Sequence, residues 1–275
     1  MATNSLPSVS RLRAWRVANV FTKSLADRTT LVVVTGVILF LLGLWMGPLY
    51  NSLEDSLAEM AADLGDGLTR MFGDLATPEG WLNAEMYSIL APAAVFYVAI
   101  SSGARTFATE EEERSIGLLA ANPLSRTSIA AQKAAATVVH VVVVVIACGL
   151  GTWAGVQLGS LDVPASSVAA INLHLALLGI VVAGLAMLTA VLTGRRAVSM
   201  VIAGAIALVG YLWGAFAPQS DALEGLAVLS PWHWYFGFDP LLDGVDWGYA
   251  ALLAVLGAAL VGGAAWVFGR RDLPG

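Results

Sequence analysis

Residues 133–158 read Lys133-Ala-Ala-Ala-Thr-Val-Val-His-Val-Val-Val-Val-Val-Ile-Ala-Cys-Gly-Leu-Gly-Thr-Trp-Ala-Gly-Val-Gln-Leu158. Between Lys133 and Asp162 lie 28 residues without Asp, Glu, Lys or Arg. A helix crosses a hydrocarbon core of roughly 30 Å in about 20 residues, so the run predicts a membrane span over 134–158. It is continuously apolar, whereas a barrel strand would alternate.

Working outward, the sparse charges cut the rest of the chain in the same way. Arg28 to Glu54 encloses 25 uncharged residues, Glu85 to Arg105 encloses 19, and Asp162 to Arg195 encloses 32. Arg196 to Asp221 encloses 24 and Asp246 to Arg270 encloses 23. The expectation is an all-α integral membrane protein with six transmembrane helices, near 30–50, 85–104, 134–158, 168–193, 197–217 and 248–268. Residues 1–29 form an N-terminal segment, 30–269 the membrane domain and 270–275 a tail. The first apolar run starts near residue 30 at full length, which argues against a cleaved leader. Composition agrees: 58% of residues are hydrophobic and 12% charged, about half the charge of a soluble domain. Water could not be kept from that much apolar surface, so lipid is the solvent.

Orientation follows from the basic residues. Of 14 Lys and Arg, only Arg70 falls on the side opposite the others, and the positive-inside rule puts both termini in the cytoplasm. The outer face collects 14 of the 20 acidic residues, giving about −13 outside and +7 inside, hence the net −6. The acidity belongs to one face, and no nucleic-acid role follows from it.

The span interiors carry no Asp, Glu, Lys or Arg. Transporters driven by ion gradients place such groups near the bilayer centre, so gradient coupling is not expected. His140 and His174 lie within spans and are read as helix–helix hydrogen-bonding groups, and Cys148 as a small buried residue. No phosphate-binding GxxxxGK[ST] loop, HExxH zinc pair or GxSxG elbow occurs, so no catalytic role is expected. Energy for uphill movement would have to enter through another subunit. Gly43/Gly47, Gly151/Gly155/Gly159 and Gly210/Gly214 are spaced for close helix approach, either within the chain or across a dimer seam.

The loops hold the remaining information. Residues 9–25 alternate apolar and basic positions at helical spacing, which suits an amphipathic helix on the inner headgroup surface. Outside, 52–76 also has helical period, with an acidic polar face. The long inner loop between the second and third spans contains Glu110, Glu111, Glu112 and Glu113, followed by Arg114. Glu110 to Leu119 reads as a separate short helix with an acid-rich first turn, stopped by Asn122-Pro123. Ser125 or Thr127 is placed to cap the third span. A stiff charged element there suits docking to a cytoplasmic partner, or is simply a solvated loop.

The stretch Glu113-Arg-Ser-Ile-Gly117-Leu-Leu119, then Asn122-Pro123-Leu-Ser125-Arg126 and Gln132-Lys133, resembles ABC-transporter permeases of the type-2 exporter family. So do Ser230-Pro-Trp-His-Trp-Tyr-Phe-Gly237-Phe-Asp239-Pro-Leu-Leu-Asp-Gly244 and the ending Phe268-Gly-Arg-Arg-Asp-Leu273. Departures from the family pattern are Gln132 before Lys133, where Gly is usual, and Leu118 after Gly117, where Thr is usual. The resemblance implies the permease subunit of an ATP-driven exporter in the cell membrane, not an enzyme itself. Two ATP-binding subunits would hold the ATP and Mg, and a second permease chain, identical or different, would complete the pathway. Glu110 to Glu113, Arg114, Gly117, Pro123, Ser125 and Arg126 would form the coupling helix against the ATPase. Trp232, Trp234, Tyr235 and Phe236 would sit on short external re-entrant helices, as substrate or interface contacts. Without the resemblance, the same residues would serve as an aromatic belt. A non-transporting anchor subunit of a larger membrane complex is the alternative reading of the whole chain.

Overall fold

The computed structural model describes residues 19–63, 74–112, 125–220 and 222–270, whose regular elements are all helices, with no strand among them. A short α1 (Val20–Ala26) precedes α2 (Thr29–Asp63). Then come α3 (Pro78–Leu82), a π-helical turn (Asn83–Tyr87) and α4 (Leu90–Glu112). The long helices α5 (Arg126–Leu158), α6 (Ala165–Thr193) and α7 (Arg196–Phe216) follow. Three short helices, α8 (Glu224–Ala227), α9 (Pro231–Phe236) and α10 (Pro240–Asp243), lead to α11 (Trp247–Arg270). Six stretches are long and apolar enough to span a membrane: Thr29–Leu57, Pro78–Phe107, Arg126–Leu158, Ala165–Thr193, Arg196–Gln219 and Trp247–Arg270.

The helix α6 is the axis of the bundle. It packs on α4, α5, α7 and α11 and is buried on nearly every side, as a helix apolar all round should be. By contrast α7 and α11 turn broad apolar faces outward: Val201 is 72% exposed and Val255 69%. Such surface is stable only against lipid or another apolar chain.

Where α2 crosses α5, glycine lets two backbones touch. A Cβ on Gly47 would land on the carbonyl of Gly155, and one on Gly155 would strike the carbonyl of Gly43. Pro48 lies inside α2 and has no N–H for the carbonyl of Leu44. That carbonyl faces the Gly155 position, where a Cβ would lie 3.0 Å from its oxygen. These glycines therefore serve packing within the chain, one of the two uses their spacing allows. Gly214, another close approach, admits the indole of Trp232, whose Cδ1 would lie 2.6 Å from a Cβ there.

Several polar bonds inside the bundle join one element to another. Tyr87 donates to Thr152 Oγ1 (3.0 Å), Asn172 Nδ2 donates to Tyr87 Oη (2.8 Å), and Tyr235 donates to the Tyr87 carbonyl (2.8 Å). His174 is fully buried, with one ring nitrogen 3.0 Å from the Ala170 carbonyl and the other 3.2 Å from that of Asp246. This is the helix-tying role expected of it. His140 and Cys148 are buried as well.

Three boundaries differ from the sequence reading, and of these the third span begins at Arg126, not 134. The first span and the start of 52–76 form one continuous helix through Pro48, because the freed carbonyl is accommodated at the glycine seam rather than ending the helix. The second span begins at Pro78, not 85, with Thr77 as its cap accepting from the Gly80 N–H at 3.1 Å. Of the amphipathic stretch 9–25, the described part is α1, capped by Asn19 and Thr22 in a capping box. Residues 9–18 and 64–73 lie outside the described residues.

Candidate functional site: an acidic-end cavity and a basic end

The helices sort charge to opposite ends of the bundle. At one end, Arg28 Nη2 on the approach to α2 donates to the Ser101 carbonyl (2.6 Å), and Lys133 Nζ donates to the Thr106 carbonyl (3.0 Å). Thr106 and Thr137 share a hydrogen bond of 2.9 Å, and Phe107 stacks on Phe268 with centroids 4.7 Å apart. Arg195, Arg196 and Arg270 fall at this same end, where α6, α7 and α11 start or finish. Burial, then repulsion from Arg105 and Arg196, lowers the Arg28 pKa to about 10, so it stays charged at neutral pH.

The expected coupling residues lie here in part. Glu110, Glu111 and Glu112 do not open a separate helix; they continue the backbone of α4 without a break. The reason is local: the run from Arg105 to Glu112 contains no Gly, Pro or Asn, and Glu is a good helix former. Ser125 caps α5, its Oγ accepting from the Ser128 N–H at 3.2 Å, and Arg126 is the first, exposed residue of that helix. Glu113, Arg114, Gly117 and Pro123 lie outside the described residues.

The opposite end is acidic and holds a cavity of about 430 Å³, within the usual range for small-molecule sites. One wall is aromatic. Trp232 on α9 meets Tyr211 edge-on (4.7 Å), Tyr235 (5.1 Å) and Phe236 (6.0 Å). Ser230 caps α9 and donates to the Gly210 carbonyl (2.8 Å), which fixes that helix against α7. Glu224, Asp239 and Asp243 also line the cavity, and among the described residues no Lys or Arg does. Asn83, in the π-helical turn and 2% exposed, donates through Nδ2 to Asp239 Oδ1 at 2.7 Å. Asp239 itself sits at φ 48°, ψ 76°, a left-handed conformation uncommon outside glycine. His233 also borders the space, and burial lowers its pKa, so the ring is neutral at pH 7.

The four aromatic residues singled out from sequence separate here. Trp232 and Phe236 form cavity wall. Tyr235 is fully buried, and burial raises its pKa well above the ordinary tyrosine value; its hydroxyl ties α9 to Tyr87. Trp234 is half-buried and donates to the Val228 carbonyl (2.6 Å). Other rings are far more exposed: Trp247 is 73% exposed, and Trp266, 58% exposed, carries Arg270 over its ring at 4.2 Å. Sequence reasoning missed Asn83, His233 and Asp239 as parts of a site. His233 and Asp239 fall within the 230–244 motif, the one sequence signal near the site, and nothing in a single sequence joins Asp239 to a residue 156 positions earlier.

A family model described as "Multidrug efflux system permease Rv1217c, C-terminal domain" matches residues 24–269. No curated protein and no solved structure matches the chain. The matched segment takes in all six apolar helices, both charged ends and the cavity. This multi-pass chain thus belongs to the family of the Rv1217c C-terminal domain, a family of membrane permeases.

Proposed function

We propose that the chain is the transmembrane permease subunit of an ATP-driven exporter of drug-like compounds, of the type-2 ABC kind. The observation that carries the reading is the family match over residues 24–269, whose printed description is that of a multidrug efflux permease. The charge-free span interiors add the energetics. With no acidic or basic group at mid-membrane in the sequence, ion-gradient coupling has nothing to work with, so the energy comes from a partner. The sequence also lacks a phosphate-binding loop, and ATP and Mg belong to that partner.

In this reading the basic end faces the cytoplasm of the cell membrane and receives two ATP-binding subunits. Motion of those subunits reaches the membrane only through stiff elements continuous with the spans. Two such elements flank the inner loop: α4, helical without a break from Leu90 to Glu112, and α5, which begins at Arg126. A cation in the first turn of a helix opposes the helix dipole by about 0.3–1 kcal/mol. Arg126 is therefore poorly placed for the stability of α5 and well placed to meet an acidic groove on a partner. Glu110 to Glu113, Arg114, Gly117, Pro123 and Ser125 complete that docking element. Six spans form half of the pathway, and a second permease, identical or different, covers part of the outward apolar faces of α7 and α11.

Purification in mild detergent tests this. The complex should contain an ATP-binding-cassette subunit at about one copy per permease, and its ATPase activity should rise with added drug. A chain that purifies with other membrane subunits but no ATPase would make it an anchor subunit.

A further inference from the structure

The acidic-end cavity contains an unmet acceptor. An amide bonded to a carboxylate must present its NH2 group, so the 2.7 Å contact with Asp239 fixes the orientation of Asn83. Its Oδ1 is then left pointing into buried space without a hydrogen-bond partner, and His233 Nδ1 is likewise buried and unpartnered. Both residues line the cavity. A buried polar atom without a partner is costly, and two beside one cavity, the Asn83 acceptor and a His233 nitrogen that donates or accepts according to its tautomer, mark a place where a ligand supplies partners.

The surroundings narrow the class of that ligand. Among the described residues three carboxylates and no Lys or Arg line the space, a lining that disfavours an anion. Among the described residues no three His, Cys, Asp or Glu side chains converge closely enough to hold a metal ion. The faces of Trp232 and Phe236 attract a delocalised or alkylated cation, and the volume admits a drug-sized body.

We propose that this cavity binds an organic cation with an aromatic body and an N–H donor, its charge at Asp239, its donor on Asn83 Oδ1 and its body against Trp232 and Phe236. The inference deepens the exporter reading and rests on it for its purpose: the cavity is the last station of a cationic substrate before release. Glu224 and Asp243, both exposed at the rim, draw the cation outward once it leaves Asp239.

The test uses the full chain in phosphatidylcholine nanodiscs, without ATP or any ATPase subunit, titrated with ethidium, an aromatic cation bearing amino groups. Binding should be saturable, and uncharged phenanthridine at tenfold excess should not displace it. Asp239→Asn keeps the left-handed backbone, which Asn tolerates, and can still accept from Asn83, so it removes only the charge. It should weaken ethidium about tenfold, the loss of one charge-assisted contact. Glu224→Gln, on an exposed helix where folding is not at stake, should weaken it about threefold. Binding within twofold of the parent in both variants, or equal displacement by phenanthridine, overturns the proposal. Ethidium binding by a chain that brings down no ATPase when purified from its native membrane in mild detergent would leave the site standing and sink the exporter reading. Drug-stimulated ATPase activity with no ethidium binding would do the reverse.

Discussion

Gly155→Leu should leave the chain unable to pack α2 against α5. The substituted side chain would occupy the space of the Gly43 carbonyl, which no rotamer can avoid because the obstacle is backbone. Overpacking a core commonly costs about 1–3 kcal/mol, and separating two backbones falls at or above the top of that range. Parting the helices also breaks the Asn51 Nδ2 bond to the Gly159 carbonyl (2.7 Å) at the acidic end of the seam. The expected observation is loss of the monodisperse peak in detergent, with aggregation on mild heating. Gly204→Leu is the matched control, because a Cβ at Gly204 on α7 meets nothing within 4 Å. It should leave the peak and the unfolding temperature unchanged or slightly raised, since glycine is a poor helix former. Equal damage from both would show that general loss of small residues, not this crossing, is at fault.

Trp232→Ala should have the next largest effect. The indole fills the notch at Gly214 and contacts Tyr211, Tyr235 and Phe236, so its removal opens a hole at the joint of α7, α9 and the cavity. Truncating a buried aromatic costs about 3–5 kcal/mol. Thermal unfolding of the purified chain should reveal the loss, and Trp232→Phe should recover more than half of it. Trp247→Ala removes a ring of equal size that is 73% exposed, and it should shift the unfolding temperature little. If Trp247→Ala proved as damaging as Trp232→Ala, the aromatic-belt reading of the whole cluster would return.

These two predictions mark where the sequence was informative and where it was silent. Gly43, Gly47, Gly151, Gly155 and Gly159 announce a close helix crossing by their spacing, because only small residues at that interval let backbones meet. The spans were equally plain, since each charge-free run is bounded by residues that lipid excludes. Span ends were less so: Glu79 and Glu85 read as loop, yet both lie in the apolar stretch that starts at Pro78, where an exposed Glu85 costs little at the acidic end. The first span reads as ending near 50, yet its helix runs on through Pro48 to Asp63. Glu110 to Glu112 suggested a new helix by their charge, and the unbroken helix-forming run before them decided otherwise. The cavity was hidden for a different reason. Asn83 and Asp239 have no shared local pattern, and their pairing is a product of how the π-helical turn and the segment entering α10 meet across the fold.

The central claim is that force enters at the basic end from an ATPase and not from an ion gradient. Its most direct test measures accumulation of fluorescent drugs, cationic and neutral, in inside-out vesicles carrying the chain with its ATP-binding partner. The account predicts accumulation that needs ATP hydrolysis, survives collapse of the proton gradient, and falls at least tenfold in Arg126→Glu while the complex still folds. Accumulation that stops when the gradient collapses with ATP still present, or that is unchanged in Arg126→Glu and in a charge reversal of Glu110 to Glu113, would contradict it.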